Sequence, residues 1–190
     1  MNKSNKYDFS FTAASLRLNE MILVGQHQLN GTEIDFINEL GKGKVATGKR
    51  MFSEFKKRIN YLTKEQLELL VSADMTTKKQ IAFLAICKTH HFVRDFAVEV
   101  LREKFLLFDY EISEGDYISF YRSKSEIHHE MDTLSESTQK KIKQVLFKIL
   151  EQADIINSIR SKQIQFQILD DKLITAIIND NKEWLKIFFH

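Results

Sequence analysis

The stretch "TTKKQIAFLAICKTHHFVRDFAVEVLREKFLLF", residues 76–108, decides the fold class. Thr77 and Gln80 stand at capping-box spacing, and a long apolar helix follows them. The pattern breaks near "THH" at 89–91 and resumes, with Phe92, Phe96 and Val100 recurring at helical spacing. So apolar a segment reads as a central core helix. The chain has no proline, where about 5% is usual, so the strongest helix breaker is missing throughout. An all-α fold, in the main, is expected.

The 190 residues suit one domain of ordinary size, or two small ones sharing an interface. A hydrophobic content of 43%, with 15 Phe, supplies a sizeable core. Disorder is expected only over the opening "MNKSNK". Cys87 stands alone, which excludes an internal disulfide, and its apolar neighbours Leu84 and Ile86 mark it as a small buried residue. The longest apolar run, "IAFLAIC", is far short of the roughly 20 residues of a membrane span. No signal peptide is read at the start, so a cytoplasmic location is expected.

Turn and cap signals divide the rest. Thr12 to about Gln28 reads as a first helix, closed by Gly31, and Thr32 as the cap of a short second one, "EIDFINEL". Thr63 and Gln66 form a capping box before "KEQLELLVSA". The texture changes near 108–111, giving an N-terminal helical region (1–108) and a C-terminal one (109–190). In the second region Ser113, Ser135 and Asp170 are the predicted caps. "QIQFQIL" at 163–169, where Ile164, Phe166 and Ile168 alternate with glutamines, is the chain's one good strand signal.

Charge is nearly balanced overall, 28 Lys+Arg against 26 Asp+Glu, so its clustering carries the information. "GKGKVATGKRMFSEFKKRIN" at 41–60 gathers Lys42, Lys44, Lys49, Arg50, Lys56, Lys57 and Arg58 against a single acid, Glu54. On a helix over 47–61, Gly48, Phe52, Phe55 and Ile59 share a face within about 60°. Lys49, Arg50, Lys56 and Lys57 form a sector centred roughly 130° away, with Arg50 and Lys57 opposite the apolar face. A solvated helix usually mixes signs; a polyanion would relieve this one. Short helix, glycine turn and basic helix is the layout of a helix-turn-helix, although "GKGKVA" exceeds the usual turn of about 3–4 residues. A plain solvated basic face is the competing reading.

A second basic helix is predicted over 136–153. Ile142, Val145, Leu146, Ile149 and Ala153 form its apolar side, and Lys140, Lys141, Gln144 and Lys148 the other. Ser137, Gln139, Lys140 and Lys141 sit near its start, where backbone N–H groups also attract phosphate. A polar turn with Arg160 and Lys162, then the alternating strand, completes the layout of a winged helix with those two cations at the wing tip. The alternative is an ordinary connection with a stray strand.

Sequence patterns for catalysis are lacking: there is no P-loop, GxSxG, HExxH or CxxC. The neighbours in His90–His91 and His128–His129 diverge by about 100° on a helix and cannot chelate from one face. Asp95, Glu99 and Glu103 alternate with Arg94, Arg102 and Lys104, which suits an ion-paired helix face. No catalytic residue, metal ligand or cofactor is expected.

Three stretches, "FSFTAASLRLNEM" (9–21), "LAICKTHHFVRDFAVEVLREKF" (84–105) and "STQKKIKQVLFKILEQADII" (137–156), taken together resemble the BrxA family, a core component of bacterial BREX (bacteriophage exclusion) systems. The resemblance implies an all-helical protein whose helix-turn-helix elements lie beside positive patches and bind double-stranded DNA. It implies no enzymatic activity, and partners among other BREX proteins. A monomer is expected. A protein–protein adaptor and an RNA binder are the competing functions; for the latter no aromatic strand motif is present.

Overall fold

The computed structural model describes residues 6–190; of the stretch 1–6 expected to be disordered, 1–5 lie outside the described residues. The chain enters through a 3-10 turn, Ser10–Ala13, before α1, Leu18–Asn30. The predicted first helix began at Thr12. It does not start there: Ala14 is extended, at φ −150° and ψ 124°, and Arg17 is left-handed, at φ 46°, so regular helix begins only at Leu18. Gly31, at φ 65°, ends α1 as expected.

The short α2, Phe36–Glu39, is capped by Asp35 rather than Thr32. The Thr32 hydroxyl is already engaged with His27 Nδ1 at 2.8 Å. Next come α3 (Val45–Asn60) and α4 (Lys64–Ser72), the latter with the predicted Thr63–Gln66 capping box in place. α5, Met75–Thr89, starts earlier than its sequence signal. Asp74 caps it, and Thr77 in the first turn donates its hydroxyl to Asp74. Gln80, freed from capping, reaches the Ile168 carbonyl at 3.0 Å.

The break at "THH" is real: His90 is extended, at φ −122° and ψ 94°. Helix resumes as α6 (His91–Phe96), passes through a π-helical turn (Ala97–Arg102) and ends as α7 (Glu103–Leu106). The second half holds α8 (Glu114–Ser125), α9 (Glu136–Gln152) and α10 (Asp171–Asn181), capped by Ser113, Ser135 and Asp170 as predicted. The turns Lys182–Phe188 close it.

α5 is the hub. Every residue from Ile81 to Cys87 is fully buried, and α1, α3, α4, α6 and the Lys182–Phe188 turns pack around it. Burial pushes the Cys87 thiol well above its ordinary value. The two halves share aromatic contacts: Phe96 meets Phe120 at 5.2 Å and Phe147 at 5.9 Å, and Phe83 meets Phe188 at 6.0 Å. Lys88, buried beside Gln66, pairs with Asp180 at 2.6 Å.

The alternating segment 163–169 forms no strand. Among the described residues only two isolated antiparallel bridges occur, Glu111–Gln163 and Ile156–Ile164. The expected wing is therefore reduced to a one-bridge hairpin. Two backbone hydrogen bonds tie each side of it: Ile164 N–H to Tyr110 O at 2.8 Å and Ile112 N–H to Lys162 O at 3.1 Å, and Gln165 N–H to Ile155 O at 2.9 Å and Asn157 N–H to Gln163 O at 3.0 Å. No described helix is long and apolar enough to cross a membrane.

Candidate nucleic-acid interface

α2 and α3 pack as a tight unit because Gly48 lies against the Phe36 carbonyl, where a Cβ would overlap it. One turn on, the Phe36 and Phe52 rings stack at 5.8 Å. The connection turns through two left-handed residues, Lys42 (φ 50°) and Gly43 (φ 81°). The Gly41 and Gly43 N–H groups bond back to Phe36 O and Ile37 O, both at 2.9 Å. Gly48, Phe55 and Ile59 are buried and Phe52 half-buried, the face that helical phase predicts.

Lys42, Lys44, Lys49 and Arg50 are exposed around the turn and the start of α3. Among the described residues none of the four has an ion-pair partner. Lys44, the N-cap of α3, offers no side-chain acceptor to the first-turn N–H groups, so the helix dipole adds to the same positive field.

Farther along α3 the cations are committed. Lys56 lies over the Phe52 ring, 5.7 Å from its centre. Lys57, predicted to stand free opposite the apolar face, is paired with Asp8. The Ser10–Ala13 turn packs on α3 and brings Asp8 with it, a contact across 49 positions that helical phase does not carry. Burial alone would raise the Asp8 carboxyl; the Lys57 pairing and hydrogen bonds from Ser10 together outweigh it and lower it.

Glu54 and Arg58, an i,i+4 pair, are buried. The guanidinium bonds Glu54 Oε1 at 3.0 Å and the Ser15 carbonyl at 2.7 Å. Glu54 Oε1 also meets His90 Nε2 at 2.6 Å, and Oε2 accepts from Ser10 Oγ at 2.9 Å. Burial alone would raise the Glu54 carboxyl; the His90 hydrogen bond and the charges of Arg58 and His90 outweigh it and leave it at about 2. This buried set holds α3 in its orientation, and the sequence reading missed its role. The only local signal was the i,i+4 spacing of Glu54 and Arg58.

α9 presents its cations differently. Lys140 pairs with Glu136 at 2.7 Å and Lys148 with Glu151 at 2.7 Å, acids that flank the basic run. Lys141 is exposed and touches Gln144 at 3.4 Å. Ser137 meets Ser135 Oγ at 3.0 Å, and Gln139 donates to the Leu134 carbonyl at 3.0 Å, so both support the helix start. Arg160 is exposed within the hairpin turn. Lys162, expected beside it, folds back over the Phe147 ring at 5.1 Å and lies 3.9 Å from Glu114. Its backbone is left-handed, at φ 48°, which turns it off the tip. The two cationic regions thus differ: around the start of α3 four cations have no acid partner among the described residues, whereas on α9 Lys140 and Lys148 are neutralised by nearby acids.

The family model for BrxA matches residues 5–181. This chain belongs to the BrxA family. Two curated relatives carry the name BREX protein BrxA. That of Escherichia coli O9:H4 (strain HS) is 24% identical over 128 residues, 67% of this chain and 60% of that protein. That of Bacillus cereus (strain H3081.97) is 24% identical over 130 residues, 68% of this chain and 65% of that protein. The chain thus spans less than two thirds of the length of either BrxA relative. A crystal structure of an uncharacterized protein from Magnetospirillum magneticum shares the fold, with a TM-score of 0.83 over 98% of this chain and 99% of that one, at 16% identity. The BrxA model takes in both cationic regions, α2–α3 and α9.

Proposed function

We propose that this chain is a non-enzymatic, cytoplasmic component of a BREX phage-defence system that binds double-stranded DNA through the α2–α3 unit. The observation that carries the reading is the set of four unpaired cations, Lys42, Lys44, Lys49 and Arg50, around an uncapped helix start. Folded proteins rarely leave so much like charge together without a partner that neutralises it. Lys44 and Lys49 suit phosphates as point charges, and Arg50 can bond bidentately. Lysine-rich contact of this kind positions DNA more than it reads bases, so sequence preference is modest. Lys141 and Arg160 supply a secondary contact.

A gel-shift titration at several salt concentrations tests this. Neutralising about six phosphates predicts a slope of log K against log[salt] of roughly −5. No binding at low salt, or binding that ignores salt, rejects the reading. The self-paired lysines of α9 favour a second role for that helix, docking another BREX protein. That role predicts partner binding that survives nuclease treatment.

A further inference from the structure

A cavity of about 660 Å³ opens between the C-terminal half of α1, the connection 31–34 and α3, a size within the ~300–1,000 Å³ range of small-molecule sites. Val24, Ile34 and the stacked Phe36–Phe52 pair form its apolar wall. A wall of this kind receives the flat body of a ligand ring. Phe52, Lys56 and Asn60 stand at i, i+4 and i+8, so one stripe of α3 supplies both apolar and polar lining.

Most polar groups of the cavity are not spent on one another. His27 is the exception: its Nδ1 meets the Thr32 hydroxyl at 2.8 Å and its Nε2 lies 3.6 Å from Glu39, which fixes the connection. Gln28 Nε2 and Asn60 Oδ1 share one hydrogen bond at 3.5 Å, the edge of bonding range. Gln28 Oε1, an acceptor, and Asn60 Nδ2, a donor, are left without a partner among the described residues. Glu33 and Lys56 also line the cavity, and among the described residues neither has an ion-pair partner. Lys56 has only the Phe52 ring beneath it, which leaves its three donors for an anion.

We propose that this cavity binds a guanine nucleotide. The pairing edge of guanine carries one acceptor, O6, beside two donors, N1–H and N2–H₂. Asn60 Nδ2 matches the acceptor; Gln28 Oε1 and the Glu33 carboxylate match the donors. Adenine offers a single donor on that edge and leaves the carboxylate without a bond. The base packs on Ile34, Phe36 and Phe52, and the Lys56 ammonium takes the phosphate as a point charge. None of these contacts involves DNA, so nucleotide binding and DNA binding can each fail alone.

Calorimetric titration of the full chain without DNA, using GMP, AMP, guanosine and inorganic phosphate, tests it. GMP is expected to bind best. Guanosine should bind about fivefold more weakly for want of the phosphate contact. AMP should bind about 10–100-fold more weakly for want of hydrogen bonds to a charged group. Amide shifts on adding GMP should centre on Val24, Gln28, Ile34, Phe52 and Asn60. Glu33→Gln should lower GMP to the level of AMP, and Lys56→Gln should lower it to that of guanosine. Both side chains are exposed, so the fold survives either change. No GMP binding at millimolar concentration overturns the proposal. Equal affinity for GMP, AMP and inorganic phosphate overturns it too. So does binding that is lost in Lys49→Glu with Arg50→Glu but kept in Glu33→Gln, because the phosphate then rests on the cations of the α2–α3 turn.

Discussion

His90 Nε2 lies 2.6 Å from Glu54 Oε1, which fastens the break between α5 and α6 to the middle of α3. The same carboxylate holds Arg58 and Ser10. A charged cluster under the apolar side of α3 therefore decides where its outer, cationic side points.

Removing the Glu54 charge leaves the fully buried Arg58 without its counter-ion. Glu54→Gln should cost about 3–5 kcal/mol, the usual penalty for breaking one side of a buried pair. Urea unfolding measures it. A loss under ~1 kcal/mol would mean that the carboxylate is not the partner of Arg58 in solution.

The same group gives the acid limb of stability. Glu54 is depressed from 4.5 to about 2, so its contribution is fully present above its unfolded value and is lost as pH falls through its folded one. On the order of 3 kcal/mol should disappear between about pH 4.5 and 2. Melts across that range should show the fall in the parent chain and a flatter profile in Glu54→Gln.

Charge reversal distinguishes the ends of α3. Lys49→Glu with Arg50→Glu should leave the fold within ~0.5 kcal/mol per site. It should flatten the DNA salt slope by about 0.9 for each phosphate no longer neutralised. Lys57→Glu should instead disturb the Asp8 pairing and lower the melting temperature, with a smaller effect on DNA. Equal DNA losses for the two changes would contradict the pairing of Lys57.

Gly48→Ala places a methyl group on the Phe36 carbonyl. Forced separation of α2 from α3 should cost about 1–3 kcal/mol. Affinity for DNA should fall as well, because the turn carrying Lys42 and Lys44 moves with α2. Chemical-shift changes confined to 34–52 would identify the site of the damage.

Local rules carried much of this fold. The Thr63–Gln66 box, the Gly48–Phe52–Phe55–Ile59 face and the break at His90 each depend on residues within a few positions of one another, where capping and phase act. Asp74 outcompeted Thr77 as a cap because its carboxylate takes two backbone N–H groups at once. Partners far apart in sequence were illegible. Nothing near Lys57 announces Asp8, nor anything near Lys162 Glu114. The alternation in 163–169 predicted a strand with one apolar face, but only Ile164 of that face is buried; Phe166 and Ile168 are exposed and Gln167 is buried, because pairing with 110–112 and 155–157 stops after Gln165.

Lys88 and Phe83 have consequences for the order of events at the ribosome. Their partners, Asp180 and Phe188, follow about 90–105 residues later, a delay of ~5–20 s at ~5–20 residues per second. Throughout that interval α5 exists without part of its cover, and the Lys88 ammonium without its carboxylate. The apolar side that Phe188 later covers is a ready target for a holding chaperone, and the nascent chain reaches its finished core only when residues 176–189 have emerged.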